Sequence, residues 1–400
     1  MFIKQSAKLR AWLYQALFII GLVAICWLLI DTLLGNLARQ GIVTGLDFLD
    51  NNAGFGVIFS LIDYSESDSY GRVFFVGLLN TLLVAGLGIL FSTMLGFLLG
   101  IARLSHNFLA RNIASAYIGL FRNVPLLLHL FFWYFAVLQP LPGPKQSLHI
   151  ADTFFLNNRG LYVPTLVDNA NTTTWQYTIG ISLILVMIAF LISANKRRNG
   201  DKSSDENSSQ TRNLNNNENS NTANTKKIIG LLAFACILLS IFIGSPYDLN
   251  APIFGRFNFS GGTVIIPELI ALVLALSLYT AAYIAEIVRA GIESVPKGQK
   301  EAALSLGLSP SDSLRFVIIP QALRLIIPPL TNQYLNLTKN SSLAAAIAYP
   351  DLVSIFAGTV LNQTGQAVEI IGITMLVYLS ISVAISLIMS LYEKKFRWSQ

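Results

Sequence analysis

Charge is scarce in this 400-residue sequence. Asp, Glu, Lys and Arg together make up 12%, about half the share of an average soluble domain. With 54% hydrophobic residues and a mean hydropathy of +0.59, a water-soluble globule is excluded. Cysteine is scarce as well: Cys26 and Cys236 both lie inside apolar blocks, so there is no disulfide framework and no metal site. Of three histidines only His129 falls in an apolar block, which argues against an enzyme built on paired His and Asp within its spans. No GxxxxGK[ST] phosphate loop occurs, so the chain does not bind ATP in that way. No catalytic residue is assigned.

What the sequence has instead is long uncharged runs. A hydrocarbon core of about 30 Å needs about 20 apolar helical residues. Eight candidate spans satisfy this: Leu13–Ile30, Val73–Ala102, Ile113–Leu138, Gln176–Ala194, Ile228–Gly244, Val264–Ala285, Ala322–Leu343 and Ile370–Tyr392. The expected fold is therefore an all-α polytopic membrane protein. The second run exceeds a straight span and should tilt or project. Arg122 and Pro125 interrupt the third, which predicts an interfacial stretch up to about Asn123 and insertion near Pro125. The first block is too long for a signal-peptide core, and Asp31 follows it without a small-residue cleavage pattern. It is expected to remain as an anchor.

The net charge of +6 does not point to nucleic acid, because the basic residues sit at the ends of the apolar blocks. With the N-terminus inside, the inside segments hold 20 Lys and Arg and the outside segments hold 5. The positive-inside rule then predicts both termini in the cytoplasm. Residues 195–227 contain ten Asn and five Ser with almost no bulky apolar side chain, a composition expected to give a disordered cytoplasmic loop. Gln139–Trp175, with Pro140, Pro142, Pro144 and Pro164, reads as an ordered-to-irregular outside loop. The expected organisation is an anchor helix and periplasmic segment over 1–71 and a transmembrane domain over 72–395. An insertion at about 139–262 interrupts the latter and leaves five core helices.

One inside loop carries the most information: Arg289–Pro320, RAGIESVPKGQKEAALSLGLSPSDSLRFVIIP. Gln299–Leu306 holds strong helix formers. Gly307 can take the left-handed conformation that ends a helix. Ser309 is a candidate N-cap and Pro310 suits the first helical position. The prediction is a short helix–turn–helix with Ala302, Ala303, Leu306 and Leu308 on one small apolar side. Two arrangements would cover that side: a partner protein, or the chain's own bundle.

The run Glu301-Ala302-Ala303, three residues, Gly307, nine residues, Val317-Ile318-Ile319-Pro320 resembles the EAA loop of ATP-binding-cassette importer permeases. Val317 and Ile319 are conservative departures from that pattern. Phe121-Arg122-Asn123-Val124-Pro125, Ala282–Ile292 and Lys339-Asn340-Ser341-Ser342-Leu343 resemble the polar amino-acid branch of the same family. The extra first span and the insertion are similar to the larger permease subunit of the general L-amino acid importer; the Asn-rich loop is not part of the family pattern. The resemblance implies a type I ABC importer permease core in a bacterial inner membrane. It implies that Glu301, Ala302, Ala303, Gly307 and Pro320 couple to a cytoplasmic ATPase subunit, which would hold ATP and Mg. It also implies a second, related permease chain and a periplasmic amino-acid-binding protein. No cofactor is expected in this chain.

Ionisable residues within spans are candidate functional groups. Glu286 and Arg289, three apart on one helical face, suit a structural ion pair. Arg122 would meet headgroups or a neighbouring helix, and His129 would make an interhelical hydrogen bond. A free amino acid needs donors and acceptors in a partly dry cavity, which broken helices and Asn or Thr side chains supply. Tyr279, Thr280, Tyr283, Asn332, Asn336, Thr338 and Lys339 are the candidates for such a path. The competing function is an ion-coupled secondary amino-acid transporter; it would use buried carboxylates and internal repeats, neither of which is evident in the sequence.

Overall fold

The computed structural model describes residues 2–39, 45–151, 153–169, 172–184, 187, 247–256 and 258–397. Among them, five helices are long and apolar enough to cross a membrane, or six if one bent pair counts as a span. The expected span Ile228–Gly244 lies outside the described residues, as does the loop 195–227; of the expected span Gln176–Ala194, residues 176–184 and 187 are described and helical. The chain divides into two compact units, one of Met1–Leu141 with Ile266–Gln400 and one of Pro142–Ile265.

The first unit is all helical apart from its turns and the 45–69 segment. Phe2–Arg39 is one long helix, and nothing in its Trp12–Leu29 window is buried. Ser69 caps the Tyr70–Arg103 helix by accepting the Arg72 N–H. At 34 residues this helix is about 51 Å long, so it projects beyond the hydrocarbon as its length predicts. It packs along the Pro267–Glu293 helix, which buries Ala281, Ala282, Ile284, Ala285 and Val288. Gly96 and Gly100 allow that approach: a Cβ at either would come within 2.6 Å of Ile284 or 2.8 Å of the Ala285 carbonyl oxygen.

Pro125 forces Val124 into extended backbone. The helix Phe108–Asn123 therefore meets the stretch from Leu126 to Leu138 at 105°. Ile319–Asn340 carries Pro328 and Pro329 within it and runs on into a tight Ser341–Ile347 turn of 3-10 helix. A wider π stretch, Val353–Val360, precedes the last helix, Ala367–Arg397. At the Tyr70 end of the bundle, Phe48, Val73, Val76, Leu352, Phe356 and Ile370 form one buried cluster, so the 45–69 segment is part of the core.

Where an ordered-to-irregular loop is expected, the second unit holds strands. It holds antiparallel strands Leu148–Ile150, Phe154–Asn157, Gly160–Val163 and Thr263–Ile265 in one sheet, paired in that order. Two further two-stranded ladders join Thr165–Asp168 to Tyr247–Asn250 and Ile253–Phe254 to Phe259–Ser260. Phe155, Tyr162 and Phe254 gather around Phe259 with ring centroids 4.5–5.3 Å apart. The prolines fall outside the strands, and Phe155 pairs with Tyr162 and Leu156 with Leu161 across the turn between them.

Candidate functional site

The helix–turn–helix is built almost wholly by local rules. Lys297–Ser305 is helical and ends in a Schellman motif. The Leu308 N–H donates to the Ala303 carbonyl at 3.2 Å and the Gly307 N–H to the Leu304 carbonyl at 3.0 Å. Gly307 has φ +81° at that point. Ser309 caps the next helix, accepting the Asp312 N–H at 3.1 Å and donating its own hydroxyl to the Asp312 carboxylate at 2.7 Å. Leu314–Ile318 forms one wide π turn, which accommodates the Pro320 ring where a regular helix would press it on a carbonyl.

The expected apolar side is split in two. Ala303 is only 3% exposed and turns into the chain's own packing, whereas Leu306 is 83% exposed. Ala302 lies outside with Glu301, and Leu308 is half-buried. Leu304, Leu306, Leu314 and Phe316 form the apolar side chains that remain open. Helical spacing puts Ala303 with Leu306, but Leu306 is the residue at which the helix ends, just before the Gly307 turn, and its side chain stands outside the packing that covers Ala303.

Beside the loop's leading helix, Glu286 is a hub. Its carboxylate takes Arg289 at 2.5 Å and Arg103 from the neighbouring helix, and Arg122 lies 4.0 Å away. Arg289 also pairs with Glu293. The Arg122 guanidinium stands 5.3 Å over the Tyr283 ring, and the Tyr279 and Tyr283 hydroxyls are 3.1 Å apart.

A second polar feature is a helix face. Asn332, Asn336 and Lys339 recur at helical spacing along Ile319–Asn340 and are all exposed in the single chain. Residues 227–398 match the family described as "Binding-protein-dependent transport system inner membrane component". Over 391 residues the chain is 50% identical to YhdX of Escherichia coli (strain K12), named as an amino-acid ABC transporter permease protein, covering 98% of this chain and 95% of that one. The chain belongs to this permease family. The permease is also 45% identical to the general L-amino acid transport system permease protein AapQ of Rhizobium johnstonii, over 97% of itself and 92% of AapQ. It is 38% identical to BztB of Rhodobacter capsulatus, a glutamate/glutamine/aspartate/asparagine transport system permease protein, over 95% and 91% of the two chains. It is accordingly a multi-pass transport subunit and not an enzyme, and ATP hydrolysis belongs to a separate subunit.

The candidate path residues do not form one group in the permease. Tyr279 and Tyr283 stand with Arg122, and Asn332, Asn336 and Lys339 share their open face. Thr280 and Thr338 are buried in helix packing instead, Thr338 donating its hydroxyl to the Tyr334 carbonyl at 2.9 Å. His129 makes the expected interhelical hydrogen bond, to the Phe121 backbone, and its ring stacks on Phe121, centroids 4.9 Å apart, while Nε2 has no partner among the described residues. That stacking follows from the chain reversing at Pro125, which folds His129 back onto the preceding helix.

Sequence reasoning missed two features. In the sequence Arg103 is only a basic residue at the end of an apolar run, and its place at a helix end opposite Glu286 reveals the pair. Asp351 was not singled out, yet it is 1% exposed, accepts the Ser354 N–H at 2.8 Å and faces the Tyr378 hydroxyl at 3.4 Å. It lies between two spans, and burial pushes its carboxyl up to about 7. The available signal was an acid just before a helical run, the N-cap pattern.

Proposed function

We propose that this permease is one transmembrane subunit of an ATP-driven importer that moves polar or general L-amino acids from periplasm to cytoplasm. The names of its full-length relatives support the substrate class. One observation carries the coupling role: the helix–turn–helix around Gly307 is rigidly capped at its turn but leaves Leu304, Leu306, Leu314 and Phe316 uncovered. A rigid turn with an open apolar surface suits docking on a cytoplasmic ATPase subunit that holds ATP and Mg. In this reading Glu301, Ala302, Ala303, Gly307 and Pro320 set the shape of the contact, with Ala303 acting from the inner side.

The polar face of Asn332, Asn336 and Lys339 calls for cover within a bilayer, since uncovered polar groups in hydrocarbon are costly. A second, related permease chain would supply that cover and enclose the substrate path, with Tyr279 and Tyr283 near its inner end. A periplasmic binding protein delivers the amino acid. Both termini lie in the cytoplasm, residues 1–71 form the anchor and periplasmic segment, and 72–395 form the permease domain with its insertion at about 139–262. Family membership leaves the ion-coupled alternative without support.

The test is amino-acid uptake into membranes holding the permease with its ATPase and binding protein. Uptake that needs both ATP and the binding protein is expected. Uptake driven by an ion gradient without ATP would overturn the reading.

A further inference from the structure

The helix Phe108–Asn123 has three distinct sides. Ala114 and Ile118 are buried against the bundle, and the Tyr117 hydroxyl donates to the Leu278 carbonyl at 2.8 Å. Leu109, Ile113 and Leu120 are exposed along one flank. Arg111, Ser115 and Arg122 recur at helical spacing along the other. The 105° bend to the stretch ending at Leu138 fixes its direction. If that stretch runs near the bilayer normal, the Phe108–Asn123 helix lies close to the membrane plane.

Charge is one-sided here. Between Arg72 and Asp152 the sequence holds Arg103, Arg111, Arg122 and Lys145 and no Asp or Glu. The nearest carboxylate is Glu286, already engaged by Arg103 and Arg289. Arg122 is the surplus cation of that hub. Its side chain is 40% exposed, 4.0 Å from Glu286, and held over Tyr283 without a hydrogen bond from its guanidinium to any described residue. An oriented guanidinium with uncommitted donors at a membrane interface suits a phosphate oxygen pair.

We propose that Phe108–Asn123 lies in the cytoplasmic interface and binds anionic phospholipid headgroups through Arg111 and Arg122, with Leu109, Ile113 and Leu120 seated among the acyl chains. The proposal rests on the topology proposed above, in which an inside N-terminus followed by two spans, at 13–30 and 73–102, puts this helix on the cytoplasmic side. Because Arg122 also borders Glu286, a headgroup bound there touches the helix that leads into the coupling loop.

The experiment uses the purified full-length permease in phosphatidylcholine vesicles carrying a trace of spin-labelled phosphatidylglycerol or spin-labelled phosphatidylcholine. The fraction of each label immobilised by protein is read by electron spin resonance. Wild type should favour phosphatidylglycerol by roughly fivefold per arginine. The Arg111→Gln/Arg122→Gln pair should lose the preference, and Arg122→Lys should keep most of it, so misfolding cannot mimic the result. Equal immobilisation of both lipids by wild type, or an unchanged preference in the double Gln variant, overturns the proposal. So does displacement of phosphatidylglycerol by millimolar inorganic phosphate, which would assign the arginines to a soluble anion. No substrate or ATPase is needed, so failure here is distinct from failure of the transport reading, which uptake tests.

Discussion

The Leu308 N–H reaches back over Gly307 to the Ala303 carbonyl, 3.2 Å away, and closes the turn of the helix pair. That bond needs the left-handed backbone at Gly307. A Cβ there meets no atom within 4 Å, so the cost of substitution is conformational and not steric. Gly307→Val should cost about 1–2 kcal/mol locally and redirect the second helix, while Gly307→Asn should be tolerated. Expected outcomes are loss of ATPase co-purification and of uptake for Val, and near-normal values for Asn at equal permease levels. Normal retention and transport by the Val variant would remove the loop from the coupling role.

Glu286 and Arg103 are joined across two packed core helices, Pro267–Glu293 and Tyr70–Arg103. Glu286→Gln leaves Arg103, Arg289 and Arg122 without their shared counter-charge. The partly exposed site places the coupling in a double-mutant cycle with Arg103→Gln at about 1–2 kcal/mol, between surface and buried pairs. Thermal unfolding of the detergent-purified permease measures it. Strict additivity of the two substitutions would show the pair to be energetically idle.

Asp351 gives a pH prediction with a definite sign. Its carboxyl is raised from 3.8 to about 7 by burial, so the folded chain holds a proton that the unfolded chain has released. Its contribution to stability is then present at low pH, declines as pH rises from about 4 to about 7, and stays lost above that. Asp351→Asn should remove this decline and melt at a temperature less dependent on pH over that window. A wild-type and variant pair with parallel pH profiles would refute it.

Asn332 and Asn336 present polar groups on an open helix face. Replacing both with Leu should leave expression and ATPase retention normal while uptake of labelled amino acid falls severalfold. Unchanged uptake would move the substrate path elsewhere.

Orientation is testable directly. The excess of Lys and Arg in the inside segments predicts that alkaline phosphatase fused after Lys395 is inactive. An active fusion would invert the topology.

Features that depend on a few neighbouring residues are legible along the chain. The apolar runs mark the spans, Gly307 and Ser309 mark the turn and the cap, and Pro125 marks the bend, because each acts on its own backbone or the next helical turn. Which side chains meet across helices follows from packing. Arg103 reaches Glu286, Thr93 meets the Tyr334 hydroxyl at 2.8 Å, and Asp351 is buried beside Tyr378, because the rotation and spacing of packed helices set those contacts. That spacing depends in turn on Gly96 and Gly100 letting two backbones approach. The split of Ala303 from Leu306 and the burial of Thr280 and Thr338 have the same origin: helical periodicity says which residues share a face, and packing decides which way the face turns.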